Sequence, residues 1–352
     1  FFQAEDGIRD VAVTGVQTCA LPICGDRDRA IGDFSQALRI RPEYDAAFYN
    51  RGMAYRAKGE IDRAIEDFDA AVKFNPNHDA AFVSRGLAYR GKGDVDKAIA
   101  DFDAAIKVNA NNDAAYANRG MLLRTKGETE KAIADFDAAI KLNPRDAQTF
   151  YNRGSSLAEK REFDRAIADF DAAVKLAPNY PMAFHDRGAA HLAMGRTDKA
   201  IADFDVSIKQ NATYDMAFYN RGVALRTRGE VDRSIADFDA ALKLNPNFSA
   251  AYYHRGNAYA DKRDYDRAIA DLSQTIRFEP NKAQAYNDRA VAYGSKANHD
   301  KAIKDFDQVL RLEPQNAVAF NNRGIAYRNR GMVDRAIEDF GEAIKKIGRA
   351  HV

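Results

Sequence analysis

The sequence is almost free of cysteine: it has two in 352 residues, Cys19 and Cys24, and none after residue 24. A disulfide framework and a thiol nucleophile are therefore excluded for residues 25–352. A chain without cysteine suits either the cytoplasm or the periplasm, so the compartment stays open. No apolar run approaches the length of a membrane span.

An excess of charge of one sign is also missing. Lys and Arg number 53 against 52 for Asp and Glu, which gives a formal net charge of +1. A nucleic-acid-binding module normally has a clear and clustered basic excess. Nucleic acid is therefore not an expected partner.

The motifs of common catalytic and cofactor sites are absent as well. The sequence has no Gly-rich phosphate loop ending in Lys and Ser or Thr, and no dinucleotide fingerprint. The histidines of residues 25–346 are scattered and have no metal-ligand spacing: His78, His185, His191, His254 and His299. We therefore expect no catalytic residue, no cofactor and no metal site, and we predict that the chain is not an enzyme.

What the sequence does contain is a period of 34 residues. Steps of that length from Gly52 reach a glycine in every unit except one, where alanine stands: Gly86, Gly120, Gly154, Gly188, Gly222, Gly256, Ala290 and Gly324. A fixed period of this length is typical of a solenoid, in which each unit buries its apolar face by stacking on its neighbours.

Each unit has the pattern of two helices. In residues 45–78 the first half has aromatic, small and aromatic residues at i, i+4 and i+7, and the second half has alanine, aromatic and alanine at the same spacing: Phe48, Gly52, Tyr55, Ala64, Phe68 and Ala71. Gly59 lies between the two patterns, where a helix end needs a residue that tolerates positive φ. Pro76 follows the second helix and cannot continue it.

This order of residues resembles the tetratricopeptide repeat family. The resemblance covers nine units, residues 45–346, and a preceding half repeat, residues 25–44, that has only a second helix. It implies an all-α fold, an α-solenoid in which antiparallel helix pairs form a right-handed superhelix. The departures are local: Ala290 replaces the first-helix glycine, Arg161, Arg263 and Ala297 replace the hinge glycine, and Ala110 and Ala212 replace the proline.

The two ends of the chain share neither the period nor the composition of the repeats. Residues 1–24 resemble a translated sequencing adapter, and residues 347–352 resemble the start of a common adapter. We therefore expect residues 1–24 to be non-native and poorly ordered and residues 347–352 to be an adapter-like tail. The biological part would then be a fragment at both ends.

One arginine and one aspartate recur in every unit. The arginine stands beside the small residue of the first helix, and the aspartate stands just before the aromatic residue of the second helix. A partly buried guanidinium needs an acceptor, so we predict intra-unit ion pairs: Arg51–Asp67, Arg85–Asp101, Arg119–Asp135, Arg153–Asp169 and their equivalents in later units.

Three rows of side chains on the first helices are candidate binding residues. The amide row comprises Asn50, Ser84, Asn118, Asn152, Asp186, Asn220, His254, Asp288 and Asn322. The aromatic row comprises Tyr49, Tyr151, His185, Tyr219 and Tyr253. The arginine row comprises Arg56, Arg90, Arg124, Arg226 and Arg328.

The family resemblance implies that the first helices line a concave groove. Asparagine offers a donor and an acceptor, so a row of them suits the backbone of an extended peptide. This row is similar to the asparagine ladder in the repeat region of the enzyme that adds N-acetylglucosamine to protein serines and threonines. Alternatively, the asparagines satisfy local backbone groups and the arginines are ordinary solvated side chains. If the arginine row faces the groove, it favours acidic ligands in the first three units.

These observations favour a protein–protein interaction scaffold that binds an extended peptide or partner protein in the groove. An alternative is the substrate-recognition arm of a longer enzyme, such as a glycosyltransferase, whose catalytic domain is missing from this fragment. End-to-end self-association of uncapped repeats is a further possibility. The identity of the partner lies beyond what the residues show.

Overall fold

Residues 27–349 are described by the computed structural model, and within that range they form nineteen α-helices and no β-strand. The predicted all-α repeat solenoid is confirmed. The expectation for residues 1–24 concerns residues outside this range, whereas residues 347–349 of the expected tail belong to the last helix. The chain divides into two compact units, unit 1 (Phe1–Ala177) and unit 2 (Pro178–Val352), and each is described by itself.

In the described residues, unit 1 has nine helices: α1 (Arg27–Ile40), α2 (Asp45–Lys58), α3 (Ile61–Phe74), α4 (Asp79–Lys92), α5 (Val95–Val108), α6 (Asp113–Thr125), α7 (Thr129–Leu142), α8 (Ala147–Glu159) and α9 (Phe163–Leu176). The even-numbered helices are the first helices of the repeats, and each packs against the odd-numbered second helix that follows it. The lone helix α1 has the pattern of a second helix and packs against α2.

The same alternation holds in unit 2, whose described residues form ten helices: α10 (Pro181–Ala193), α11 (Thr197–Gln210), α12 (Asp215–Thr227), α13 (Val231–Leu244), α14 (Ser249–Asp261), α15 (Tyr265–Phe278), α16 (Ala283–Ser295), α17 (His299–Leu312), α18 (Ala317–Asn329) and α19 (Val333–Arg349). No helix within residues 27–349 is both long enough and apolar enough to cross a membrane.

The core of each repeat lies between its two helices and the next first helix. In α3 the side chains at i, i+4 and i+7 are fully buried, as the apolar pattern predicts: Ala64, Phe68 and Ala71. Phe68 packs in one cluster with Tyr55 of its own hairpin and Ala88 of the next. Burying a ring of this size stabilises the fold by about 1.5–3 kcal/mol. Because this cluster joins two repeats, stacking completes the core.

The hinge between the two helices has a left-handed backbone whether or not glycine is present. Gly59 has φ of 82°. The three residues that replace glycine also have positive φ: Arg161 at 62°, Arg263 at 61° and Ala297 at 57°. An L side chain is disfavoured in this region, so packing of the flanking helices imposes the turn at these three positions.

The small residue of the first helix is required by the aromatic ring that faces it. A Cβ atom added to Gly52 would lie 2.8 Å from Cε1 of Phe68, closer than real contacts allow. Where Leu272 replaces the ring, the distance from Gly256 relaxes to 3.1 Å, measured to Cγ. The glycine therefore sets how closely the two backbones approach.

All nine recurring arginines, here called the clamp arginines, bind the aspartate of their own hairpin through two parallel hydrogen bonds. Nε and Nη2 each donate to one carboxylate oxygen, with donor–acceptor distances from 2.5 to 2.9 Å. The pairs are Arg51–Asp67, Arg85–Asp101, Arg119–Asp135, Arg153–Asp169, Arg187–Asp203, Arg221–Asp237, Arg255–Asp271, Arg289–Asp305 and Arg323–Asp339. Bidentate geometry of this kind is the strongest form of the ion pair.

The third nitrogen of the clamp arginine reaches the preceding second helix. Nη1 of Arg119 donates to Asp103 at 2.6 Å, and the guanidinium also lies over the ring of Tyr116, 5.6 Å from its centroid. At two repeats a serine hydroxyl accepts this bond instead: Ser35 from Arg51 and Ser273 from Arg289. One side chain thus joins its own hairpin to the preceding one.

We predict that the clamp stabilises mainly because its aspartate is buried. Arg119→Met leaves the Asp135 carboxylate, 6% exposed, without its arginine, and we expect the free energy of unfolding to fall by about 3 kcal/mol. The double variant Arg119→Met with Asp135→Leu should recover most of that loss. Urea titration followed by circular dichroism measures these differences.

The matched control is Asp103→Asn, which removes only the half-exposed acceptor in the preceding hairpin. We expect it to cost less than about 1 kcal/mol. An Arg119→Met protein as stable as this control would contradict the structural role of the clamp.

A second prediction concerns the small residue of the first helix. Gly222→Ala places a methyl group 2.7 Å from Cε1 of Phe238, and overpacking of this kind costs about 1–3 kcal/mol. Gly256→Ala meets looser contacts, with Cγ of Leu272 at 3.1 Å and with the carbonyl oxygen of Ala268 and Cβ of Asp271 at 3.3 Å, and gains about 1 kcal/mol of helix propensity. We expect Gly222→Ala to lower the melting temperature and Gly256→Ala to leave it unchanged or raise it.

Adding Phe238→Leu to Gly222→Ala copies the looser contact at Leu272 and should lessen the overpacking. Equal melting temperatures for the two glycine variants would show that the ring does not limit the approach of the helices.

Candidate functional site

The first helices of each unit form one continuous surface, here called the first-helix surface. In the described residues, successive first helices contact one another, for example α2 with α4 and α12 with α14, whereas no two successive second helices make a comparable contact. The repeats are therefore more closely spaced along their first helices. The amide, aromatic and arginine rows all belong to these helices.

In unit 1 the amide row is largely bonded within the protein. Nδ2 of Asn50 donates to the carbonyl oxygen of Ala46 at 2.9 Å. Asn118 makes the same bond to Ala114 at 2.8 Å, and its Oδ1 accepts from Nη1 of Arg90 at 2.6 Å. The side-chain amides of Asn50 and Asn118 thus donate to backbone carbonyl groups of their own helices, which is the alternative to peptide binding stated above. The Oδ1 atom of Asn50 remains available.

Two further members of the amide row in unit 1 are buried. Oδ1 of Asn152 accepts from Nε2 of Gln148 at 3.1 Å. Ser84, which stands in the row in place of asparagine, has its hydroxyl 3.6 Å from Sδ of Met53. Because both side chains are buried, neither belongs to an exposed row of hydrogen-bonding groups.

In unit 2 the rows bond to one another. Nε2 of the buried His185 lies 2.8 Å from Nδ2 of Asn220, and Nδ1 lies 2.8 Å from Oδ1 of Asp186. The amide nitrogen can only donate, so Nε2 of His185 is the acceptor of the first contact. Tyr253 repeats the arrangement, since its hydroxyl donates to Asp288 at 2.7 Å. The contacts His185–Asn220 and Tyr253–Asp288 each join one first helix to the next.

The aromatic row is half-embedded. Tyr49, Tyr151 and Tyr219 pack on the phenylalanine of the second helix, with ring centroids 5.9 to 6.1 Å apart. Burial and the bond to Asp288 raise the pKa of Tyr253 to about 12. Tyr253 therefore stays neutral at physiological pH. The tyrosines of this row present part of a ring to the first-helix surface.

The arginine row divides into satisfied and unsatisfied members. Nε and Nη2 of Arg226 bind the carboxylate of Asp261 at 2.7 and 3.3 Å. Nε of Arg124 lies 4.0 Å from Glu159, and its Nη1 is buried without a hydrogen-bond partner in the described structure.

At the two ends of the row, the side chains of Arg56 and Arg328 make no bond within residues 27–349. Arg56 is half-buried and Arg328 is exposed. Arg90, also exposed, is held only by Asn118.

Other features of this surface and its surroundings were not expected from the sequence. The first helices of unit 2 expose three aliphatic side chains close to the amide row: Val291 at 48%, Val318 at 63% and Ile325 at 36%. In unit 1, Oγ of Ser155, three residues after Asn152, is buried and unpartnered among the described residues. Each of these side chains lies three or four residues along the helix from a member of the amide row. That spacing is the sequence signal that could have revealed them.

Outside the first-helix surface, a ladder of ion pairs joins the hinge of one repeat to the preceding second helix. Its rungs link residues 30 positions apart: Lys58–Asp28, Lys92–Asp62, Lys126–Asp96, Lys160–Glu130, Arg228–Asp198, Lys262–Asp232, Lys296–Asp266 and Arg330–Asp300. The recurrence of opposite charges at this separation is the signal that could have revealed it. The described residues contain no group of three or more His, Cys, Asp or Glu placed to hold a metal ion.

His254 occupies the most apolar place in the amide row. Its ring lies 5.6 Å from that of Tyr219 and 6.1 Å from that of Phe238, centroid to centroid. Burial lowers the pKa of His254 to about 4, and the positive charges of Arg226 and Lys282 act in the same direction. The histidine is neutral at physiological pH.

The lowered pKa of His254 makes stability depend on pH. In the unfolded chain the pKa returns to about 6.5, so between about pH 6.5 and pH 4 the unfolded state binds more protons. Stability is full above this window and falls with pH inside it. We expect His254→Asn to fall less steeply, as measured by urea titration across the window. A pKa of His254 near 6.5 by proton NMR would contradict this prediction.

Comparison with known proteins agrees with this architecture. A family model described as tetratricopeptide repeat matches residues 83–147, 118–181, 151–215, 185–247, 219–285 and 253–296. Two further models with the same description match residues 46–78 and 283–316, and residues 306–338. No curated protein matches the chain.

Solved structures that resemble the chain include three with low sequence identity. The hetero-tetramer Cut9–Hcn1 of the APC/C is 17% identical, covers 85% of this chain and 58% of its own, and has a TM-score of 0.56. A tetratricopeptide repeat protein from Parabacteroides merdae is 20% identical over 70% of this chain and 98% of its own, with a TM-score of 0.52. YrrB is 24% identical over 52% of this chain and 95% of its own, with a TM-score of 0.47. Since overlapping family matches run from residue 83 to residue 296, more than half of the sequence, the chain belongs to the tetratricopeptide repeat family.

Proposed function

We propose that the chain is a protein-interaction scaffold that binds an extended peptide segment along its first-helix surface. One contrast carries the proposal. Charges near the hinges are neutralised by the chain itself, in the ladder that begins with Lys58–Asp28. The first-helix surface keeps unsatisfied donors and exposed apolar side chains, such as Arg56 and Val318. Exposed groups of both kinds together are typical of recognition surfaces.

The spacing of the helices suits an extended ligand. Packed helices lie roughly 8–10 Å apart, and an extended peptide advances roughly 3.3–3.6 Å per residue, so it would meet a new first helix about every three residues. The three rows would then present similar groups to every third residue of the peptide. With this match in spacing, the surface would recognise the peptide through contacts to its backbone and through shallow pockets for its side chains.

The members of the rows take two roles in this proposal. Side chains with free atoms would contact the peptide directly, such as Asn50 through Oδ1 and Arg56 through its guanidinium. Side chains bonded within the protein, such as His185 and Asn220, would hold the surface in shape. Asn322 is half-buried beside Asn321 and belongs to the first group.

The experiment is selection of peptides from a random displayed library on the purified protein, followed by affinity measurement on variants. We expect peptides that bind unit 1 to lose about tenfold in affinity with Arg56→Gln, and peptides that bind unit 2 to lose as much with Val318→Ser plus Ile325→Ser, because each change removes a charged or apolar contact. Fluorescence anisotropy with labelled peptides gives the dissociation constants.

The matched control is Lys92→Gln, which removes an exposed cation from the outer ladder, where it pairs with Asp62. Its affinity should equal that of the unchanged protein. Failure to select any peptide, or equal losses for the control and the surface variants, would refute binding along the first helices.

A further inference from the structure

Two buried polar atoms on the first-helix surface of unit 1 have no partner in the described structure: Nη1 of Arg124 on α6 and Oγ of Ser155 on α8. Buried donors in folded proteins are almost always hydrogen-bonded, so each such atom needs an explanation. The guanidinium nitrogen can only donate, and the serine hydroxyl can donate as well as accept, so one acceptor would satisfy both atoms.

The two atoms lie on facing sides of neighbouring helices. The contact between Arg124 and Glu159 places the arginine against α8. Asn152, Ser155 and Glu159 lie on one face of α8, since they are spaced at i, i+3 and i+7. Arg90, one repeat earlier, reaches across to Asn118 of the next first helix in the same way. Arg124 therefore points at the face of α8 that carries Ser155.

The chain contains its own example of what such an arginine binds. Arg226 occupies the place of Arg124 in unit 2, and the carboxylate of Asp261 accepts from its Nε and Nη2. Glu159 occupies the place of Asp261, yet it stays 4.0 Å from Nε of Arg124 with its side chain 55% exposed. A carboxylate fills this position in unit 2, and in unit 1 the position is open.

The electrostatics of the first helices in unit 1 also favour an anion. Their first-turn acids keep their charge but lie at the opposite end of each helix from the arginine row, as Asp79 does from Arg90, and the clamp arginines are paired with aspartates. The lysines near their ends are paired in the outer ladder. Arg56, Arg90 and Arg124 remain, with Glu159 as the single acid beside them. A surface with this excess attracts acidic segments.

We propose that a carboxylate of an acidic peptide segment binds between α6 and α8, accepting hydrogen bonds from the guanidinium of Arg124 and the hydroxyl of Ser155. Neighbouring acidic residues of the peptide extend toward Arg90 and Arg56. This inference rests on the proposed function and names the chemistry of its ligand. The carboxylate comes from an Asp or Glu side chain or from the C-terminus of the peptide.

The experiment uses the full chain and fluorescein-labelled probe peptides of about ten residues, long enough to cross three first helices. One probe alternates Glu with Gly and Ser, the other has Gln in place of Glu, and each is made with a free and with an amidated C-terminus. We expect the Glu probe to bind about tenfold more tightly than the Gln probe at low salt, with the difference shrinking as salt rises. Tight binding of the Gln probe only with a free C-terminus would identify the terminal carboxylate as the ligand.

Variants locate the carboxylate. Arg124→Gln should weaken the Glu probe about tenfold and Ser155→Ala about threefold, because one removes a charged and the other a neutral donor. Glu159→Gln should tighten it, since a competing carboxylate is lost; this gain remains informative if Arg124→Gln folds poorly. Lys126→Gln, whose lysine pairs with Asp96 in the outer ladder, is the matched control and should change nothing.

Equal affinity for the amidated Glu and Gln probes, with no gain from a free C-terminus, would overturn the proposal. So would a loss with Arg124→Gln no greater than with Lys126→Gln, or Arg124-dependent binding of a single-stranded oligonucleotide more tightly than of the Glu probe. In the first two cases the proposed function survives if library-selected peptides still depend on Arg56 and Val318. If no peptide of any composition binds, the proposed function fails as well.

Discussion

Stacking of these repeats depends on the clamp arginine, which bonds to its own hairpin and to the preceding one. Its planar guanidinium has donors on two edges, and a carboxylate of its own hairpin takes one edge while the preceding hairpin takes the other. A buried or half-buried guanidinium with an unfilled edge would be costly, so the arginine fixes the distance and register between adjacent hairpins together. The glycine beside it lets the phenylalanine ring enter, as at Gly52 and Phe68. Polar pairing and apolar packing therefore demand the same geometry.

In five of the nine repeats an arginine also stands five residues further along the first helix, and there it has a different role. There the chain supplies a carboxylate only in some repeats, as Asp261 does for Arg226. At Arg56 no acid stands in the corresponding place, and at Arg124 the acid present does not close the pair. An arginine belongs to the fold when the chain provides its acceptor, and it is open to a ligand when the chain does not. Sequence position alone does not separate the two cases.

This difference explains which features of the fold and of the candidate site could be predicted from the sequence. The 34-residue period predicts the hairpins, and the strict recurrence of Arg51 and Asp67 predicts their pairing, because both signals lie within one repeat. The rows on the first helices depend on contacts to the next repeat at separations near 28 or 35 residues, as between Arg90 and Asn118. Side-chain length and burial decide which neighbouring residue each of these side chains bonds to. The sequence pattern gives neither quantity. The backbone bond of Asn50 to Ala46 is equally invisible, since it competes with a ligand for the same amide.

Variation among the repeats of one chain adds a physical argument for recognition. All repeats share one backbone, so positions that serve the fold face the same demand in each, and the nine clamp arginines accordingly do not vary. The amide row faces no such demand and changes among amide, hydroxyl, acid and imidazole. In unit 1 the arginines leave the surface cationic, and in unit 2 Asp261 neutralises Arg226 while Val291 and Val318 expose aliphatic groups. A surface whose chemistry changes while its scaffold repeats is suited to reading different groups in successive segments of a ligand.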